Sequence, residues 1–338
     1  MVNPVQLDIP GYPDHRLVYP RENREKFINP LNSSGQRDPM GNTAMNVVSI
    51  FNSSGGYYFS AMGNLTKKFA NGLDLSFSYI RSATRTYNDG DGDQTLSALN
   101  ATASVNGINN QTLGYAGYVP PGRIVASIAF PLKLFKTATL NLGLVYQGSS
   151  EGRFSYTYGS DFIGDGTNRS LIYIPRDPSE ITFSPFSIST ANGRIVYSAE
   201  EQSNAFFAYI EQDQYLKTRR GTYAERNGGI LPWRNQVDLR LSTELGLYQK
   251  HKKHVLELSV DILNLCNLIN SKWGLRKLPN ANAILMPTNL DKVRPGGTAI
   301  PLFQLATTGD KLITETYKND NSINSTYLVQ IGVRYSFL

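Results

Sequence analysis

Cysteine is all but missing. Cys266 is the sole cysteine among 338 residues, which excludes an internal disulfide and any metal site built on paired thiolates. It lies in an apolar run, where a small buried or lipid-facing residue is expected. Histidine is nearly as scarce: of three, His251 and His254 share one polar stretch where solvated side chains are expected, and His15 lies near the N-terminus. A Ser/His/Asp triad is therefore not expected. No glycine-rich phosphate loop, zinc signature or nucleophile elbow occurs, so no enzymatic activity is expected. Long apolar runs are absent too. No segment approaches the roughly 18 consecutive apolar residues of a membrane helix, and a helical membrane protein is excluded. The start, MVNPVQLDIPGYPDHRLVYP, lacks the basic opening and apolar stretch of a signal peptide, so an exported protein of this kind is expected to be a piece of something longer. Charged residues make up only 18% of the chain. The net charge is +6, but the basic residues fall in scattered groups (Lys67-Lys68, Arg219-Arg220 and the 250–254 stretch), so no nucleic-acid footprint is expected.

What the chain does have is aromatic residues, glycine and alternation. Tyr (20), Phe (15) and Gly (29) are abundant, helical periodicity is nearly absent, and period-two alternation recurs. YYFSAMGNLTKKF and LDLSFSY flank Asn71-Gly72, a hairpin signal. RIVASIAFPLKLF and ATLNLGLVYQ form a second expected hairpin, with Pro131 expected to mark a bulge or break. NQVDLRLSTELGL and HVLELSVDILN form a third. A stretch around MNVVSIF adds a strand before them and YLVQIGVRYSFL one after, about eight strands in all. Within hairpins the turns take a few residues. Between hairpins run segments of about 33, 80 and 58 residues (88 to 120, 152 to 231 and 268 to 325), rich in polar residues, Gly and Pro. That segregation is the pattern of an antiparallel transmembrane β-barrel with long extracellular loops and short periplasmic turns.

The two parities of each strand differ in the same sense. Leu140, Leu142, Leu144, Leu239, Leu241, Leu258, Val260, Val329, Ile331, Val333 and Phe337 fall on the face expected to meet lipid. Asp74, Asn141, Asp238, Arg240, Glu244, Glu257, Asp261 and Arg334 fall on the face expected to line a lumen. Tyr57, Phe69, Tyr79, Tyr146, Trp233 and Tyr335 fall near strand ends, where interfacial aromatic girdles belong.

Four blocks carry a family resemblance: EGRFSYTYGSDFIGDGTNRSLIYIPRDPSEI (151 to 181), FFAYIEQDQYLKTRRGTYAERNGGILPWRNQVDLRL (206 to 241), SVDILNLCNLINSKWG (259 to 274) and the terminal strand. They resemble the C-terminal barrel region of TonB-dependent outer-membrane receptors of the Oar-like group, over residues 44–338, with residues 1–43 similar to a preceding extracellular loop. The resemblance implies a location in the outer membrane of a Gram-negative bacterium and insertion by the barrel assembly machinery, for which Phe337 stands close to the usual C-terminal aromatic. It also implies a parent barrel of about 22 strands, of which this chain holds the last third. The implied function is uptake of a bulky ligand, with TonB acting only through a plug this chain lacks. A non-transporting surface barrel whose loops bind glycans or proteins is the alternative.

The loops hold two acidic turns. Asp89, Asp91 and Asp93 alternate with glycine as in the first half of a calcium loop, and Asp161, Asp165 and Asn168 form a second such turn; hard cations want several oxygens on a turning backbone, and a solvated Asp-Gly turn is the competing expectation. The tyrosines and phenylalanines at 156, 158, 173, 206, 207, 209, 215 and 223 either stack on a ligand or pack the loops against one another.

Overall fold

The computed structural model describes residues 4–19, 34, 52–90, 94–135, 138–191, 193–249, 252–293 and 299–337. They are mostly β-strand, and no helix among them is long and apolar enough to cross a membrane. Seven long strands form one antiparallel sheet: β1 (Tyr57–Lys68), β2 (Asp74–Arg85), β3 (Gly122–Phe135), β4 (Ala138–Ser150), β5 (Trp233–Gln249), β6 (Lys252–Leu263) and β7 (Leu328–Phe337). Each pairs with its neighbour in sequence, so the sheet is a meander with β1 and β7 at its edges. The expected strand around MNVVSIF lies outside the described residues.

Local chemistry sets the short turns. Gly72 takes φ +90° in the β1–β2 turn, and a Cβ there would meet the Pro131 ring at 2.8 Å. Asn71 accepts a hydrogen bond from the Leu73 N–H (3.1 Å), the local side-chain closure that favours Asn in turns. Pro131 does not mark the bulge: it pairs regularly with Asn141, and the register shifts only between Lys133 and Phe135. Pairing between β2 and β3 stops at Ala129. Beyond that point β3 has a free side, and a residue without an N–H is tolerated there.

The register is strongly staggered. One row of paired residues runs Lys67, Leu75, Ile128, Leu144, Leu239, Ile262, Val329. It begins next to the turn end of β1 and finishes next to the opposite end of β7.

All three long connections leave from the same end of the sheet, and there they fold into a cap. The only contiguous core among the described residues is in this cap, built from Leu7, Tyr12, Tyr156, Phe162, Ile172, Phe206, Leu216, Ile284 and Phe303 with their neighbours; no residue of β1–β7 belongs to it. Residues 4–19, from the segment expected to be loop, supply part of that core. A small mixed sheet of Thr182–Phe183, Leu302–Leu305, Ala283–Pro287 and Thr157–Tyr158 runs through the cap. A helix, Ala199–Gln212, packs beside it. Near absence of helical periodicity was the wrong expectation here. Gln202, Phe206, Tyr209 and Ile210 recur at helical spacing and are buried, and Ser198 and Glu201 close a capping box.

Candidate functional site

The apolar parity of the seven strands forms one continuous face. Phe130, Leu142, Leu241, Val260 and Ile331 pair in one row, and Leu132, Leu140, Thr243, Leu258 and Val333 in the next. None of the eleven residues expected on this face is buried. Leu258 is 39% exposed, Val333 68%, Phe337 73% and Ile331 76%. Exposed aromatic residues bracket the face: Tyr57, Trp233 and Tyr327 at the cap end, Phe69, Tyr335 and Phe337 at the turn end. Between them Tyr79 and Tyr146 lie further from the cap, and the Tyr146 hydroxyl and Trp233 Nε1 both donate to Asn235 Oδ1 at 2.7 and 3.1 Å. A Cβ on Gly148 would collide with both rings, so glycine is required for this aromatic pair to lie against the sheet.

The opposite face is polar and internally bonded. Arg240 reaches Glu257 and Asp261 at 3.6 and 3.4 Å, and Arg334 reaches Glu257 at 3.6 Å. Asn64 donates to Ser78 at 2.8 Å, and Asp238 accepts from the Asn264 N–H at 2.8 Å. The charges near the middle of the sheet are thus gathered on one side, while Lys67, Arg81 and Arg85 stand on the apolar parity nearer the strand ends.

In the cap, Arg16 and Asp14 are both fully buried and joined at 2.8 Å. Arg16 also donates to the Leu171 carbonyl (2.8 Å), and its guanidinium lies over the rings of Tyr158, Phe162 and Tyr223 at 5.0, 4.8 and 5.1 Å. Burial works against its charge, but Asp14, together with Tyr158 and Tyr12, outweighs that, and the guanidinium holds its proton more firmly than usual. Asp213 organises a second buried network. It accepts from the N–H groups of Tyr215 and Leu216 at 2.9 and 2.8 Å, from Thr316 Oγ1 at 2.7 Å and from the Tyr156 hydroxyl. Burial, with Tyr209 and Asp213 beside it, pushes the Tyr156 phenol far up. Burial likewise lifts Tyr209 and Tyr215 to about 12. The Tyr156 phenol is a hydrogen-bond donor at neutral pH, which is what a buried carboxylate with no ion pair among the described residues requires. Tyr156, Tyr158, Phe206 and Tyr209 are therefore core, each at 1% exposure or less, whereas Phe207, Tyr215 and Tyr223 are half-buried. Sequence reasoning missed both networks, because Asp14 and Arg16 acquire meaning only from residues about 150 positions away.

The second acidic turn brings Asp161 and Asp165 together. Asp161 accepts from the N–H groups of Gly164, Asp165 and Gly166 at 2.7, 3.1 and 3.1 Å. Asp165 accepts from Thr167 and from the Ile108 N–H, and burial raises its carboxyl above the ordinary range. Asn168 is exposed. In the first turn, Asp89 accepts from Asn227 Nδ2 (2.6 Å) and the Gly117 N–H (3.2 Å), while Asp91 and Asp93 lie outside the described residues, as does His251. Among the described residues no three His, Cys, Asp or Glu side chains converge on a point that would hold a metal. His254 pairs with the Tyr335 hydroxyl at 2.6 Å. No family model matches this chain, and no curated protein or solved structure matches it either.

Proposed function

We propose that β1–β7 are the C-terminal part of a transmembrane β-barrel, that of a TonB-dependent, Oar-like receptor in the outer membrane of a Gram-negative bacterium, taking part in uptake of a bulky ligand. One observation carries this reading: among the described residues the hydrophobic core belongs to the cap, and none of it covers the apolar face of the seven-stranded sheet. A soluble sheet buries that face against a second layer. A barrel strand turns it to lipid.

The stagger supports the same conclusion. Over six strand-to-strand steps the paired row shifts by seven to nine residues relative to the strand ends. At ~3.4 Å per residue and ~4.8 Å per strand this is a tilt of roughly 40–47°, close to the ~35–45° of membrane barrels. At that tilt, the run from Tyr327 to Phe337 rises roughly 23–26 Å, near the ~25 Å apolar band of such barrels. Among the described residues the outer edges of β1 and β7 carry unpaired backbone groups, which lipid does not tolerate. Further strands must therefore pair on both sides. In this reading, energy coupling belongs to a plug on which TonB acts, and the cap faces outward as the surface that first meets a ligand. A surface barrel that binds glycans would have to use residues other than the buried tyrosines, such as Tyr118, 68% exposed.

Refolding tests the proposal. The chain is diluted from urea into detergent micelles and into buffer, and followed by circular dichroism and a heat-modifiability gel. Folding that requires micelles is expected; a folded, monodisperse protein in buffer alone would overturn it.

A further inference from the structure

Where the apolar face approaches the cap, its chemistry changes sign. Arg81 and Arg85 lie on the same parity as Phe77 and Tyr79, pairing with Ala61 and Tyr57 across the β1–β2 ladder. Arg81 is two residues, roughly 7 Å, beyond Tyr79 along the strand. It is exposed, and among the described residues it has neither an ion pair nor a side-chain hydrogen bond. Arg85 and Arg153 sandwich the Tyr115 ring, with guanidinium carbons 3.7 and 4.1 Å from its centroid. Burial lowers the proton affinity of Arg153, and repulsion from Arg85 and Arg81 adds to that. The three arginines therefore sit within mutual influence. Glu225 pairs with Arg85 (3.2 Å) and, more distantly, Arg219 (4.0 Å), and its attraction for Arg153 offsets part of that repulsion. Between Arg81 and Arg153 lies a cavity of about 180 Å³, also lined by Tyr57, Ala83, Tyr115 and Val119.

We propose that this cavity binds the phosphate of an anionic lipid headgroup. The proposal rests on the membrane reading above, which puts Tyr57 and Tyr79 near the lipid–water interface and Arg81 at headgroup depth. Cations with few carboxylates, set at an aromatic rim, fit a phosphate that arrives with its acyl chains lying along Phe77 and Tyr79. Arg81 would be the free donor. Arg153 is already held by the Asn227 carbonyl (3.3 Å) and would supply charge from the cavity wall.

The test is native mass spectrometry of the full chain in neutral detergent, titrated with phosphatidic acid and separately with phosphatidylcholine. Selective retention of phosphatidic acid is expected, weakened about fivefold in Arg81→Gln and more in Arg81→Glu, a contact of this kind being worth that factor. Because Arg81 makes no side-chain contact that folding needs, both variants should keep the heat-modifiability of the parent. Equal retention of both lipids, or no change in Arg81→Glu, would overturn the site. Displacement of phosphatidic acid by millimolar inorganic phosphate would make it a soluble-anion site and overturn the lipid assignment. Folding in buffer without detergent would instead overturn the membrane reading, and the lipid site with it.

Discussion

Val333 stands near the middle of β7, five residues from Leu328 and four from Phe337. It pairs with Leu258 and is 68% exposed. Those facts make Val333→Arg a sharp discriminator. If the surroundings of this face are water, an arginine at so open a position changes stability by no more than about 0.5 kcal/mol. If they are lipid, the guanidinium sits near the bilayer midplane and costs about 2–4 kcal/mol, a roughly 30- to 900-fold loss in the folded-to-unfolded ratio. The control is the same residue type on the other face. Ser259 pairs with Gly332 and Ser242, on the parity of Glu257 and Asp261. Ser259→Arg adds a cation beside two carboxylates and should be neutral within about 0.5 kcal/mol. The assay is reversible urea unfolding in lipid vesicles, followed by tryptophan fluorescence of Trp233 and Trp273. A Val333→Arg variant as stable as the parent, or a Ser259→Arg variant as damaged as Val333→Arg, would refute the assignment of faces.

Three further outcomes concern the cap and the polar face. Arg16→Ala should destabilise the cap by about 3–5 kcal/mol, because it leaves Asp14 buried without its partner; Asp14→Asn combined with Arg16→Met should recover most of that, as read by limited proteolysis of residues 4–19. Asp213→Ala removes the acceptor for two backbone N–H groups and two hydroxyls and should cost about 3 kcal/mol or more, with hydrogen exchange rising first at Tyr215 and Leu216. By contrast, Arg240→Met should cost about 1 kcal/mol or less in the urea assay despite two ion pairs, since its side chain is 58% exposed and such pairs are largely screened.

The strands were legible and the cap was not, for one physical reason. In β1–β7 the backbone imposes period two, the environment differs sharply between faces, and the pattern repeats over 10 to 17 residues, so side-chain parity records the fold directly. In the cap, buried residues come from two-residue strands and irregular segments. Tyr156, Phe162, Ile172 and Phe303 meet in one core without any period that a sequence scan registers, and Arg16 finds Leu171 across 155 residues. The helix Ala199–Gln212 carries a signal in Ser198 and Glu201, but it lies within the 152 to 231 segment, whose composition reads as loop.

Parity also has a limit that only packing removes. An alternating strand says that its two faces meet different surroundings, and it says nothing about which surroundings they are: Val329, Ile331, Val333 and Phe337 would read the same against a protein core or against acyl chains. What breaks the tie is where the chain puts its other apolar residues. Here Tyr156, Phe206, Ile210, Leu216 and Ile284 are spent within the cap, each at or below 1% exposure, and no second layer is left among the described residues to cover the sheet. A core sealed within the cap, with seven paired strands bare on their apolar side among the described residues, is the arrangement that the proposed membrane barrel requires. In the proposed barrel the polar network of Arg240, Glu257, Asp261 and Arg334 on the reverse side would face the wet interior, and the sheet would separate two solvents.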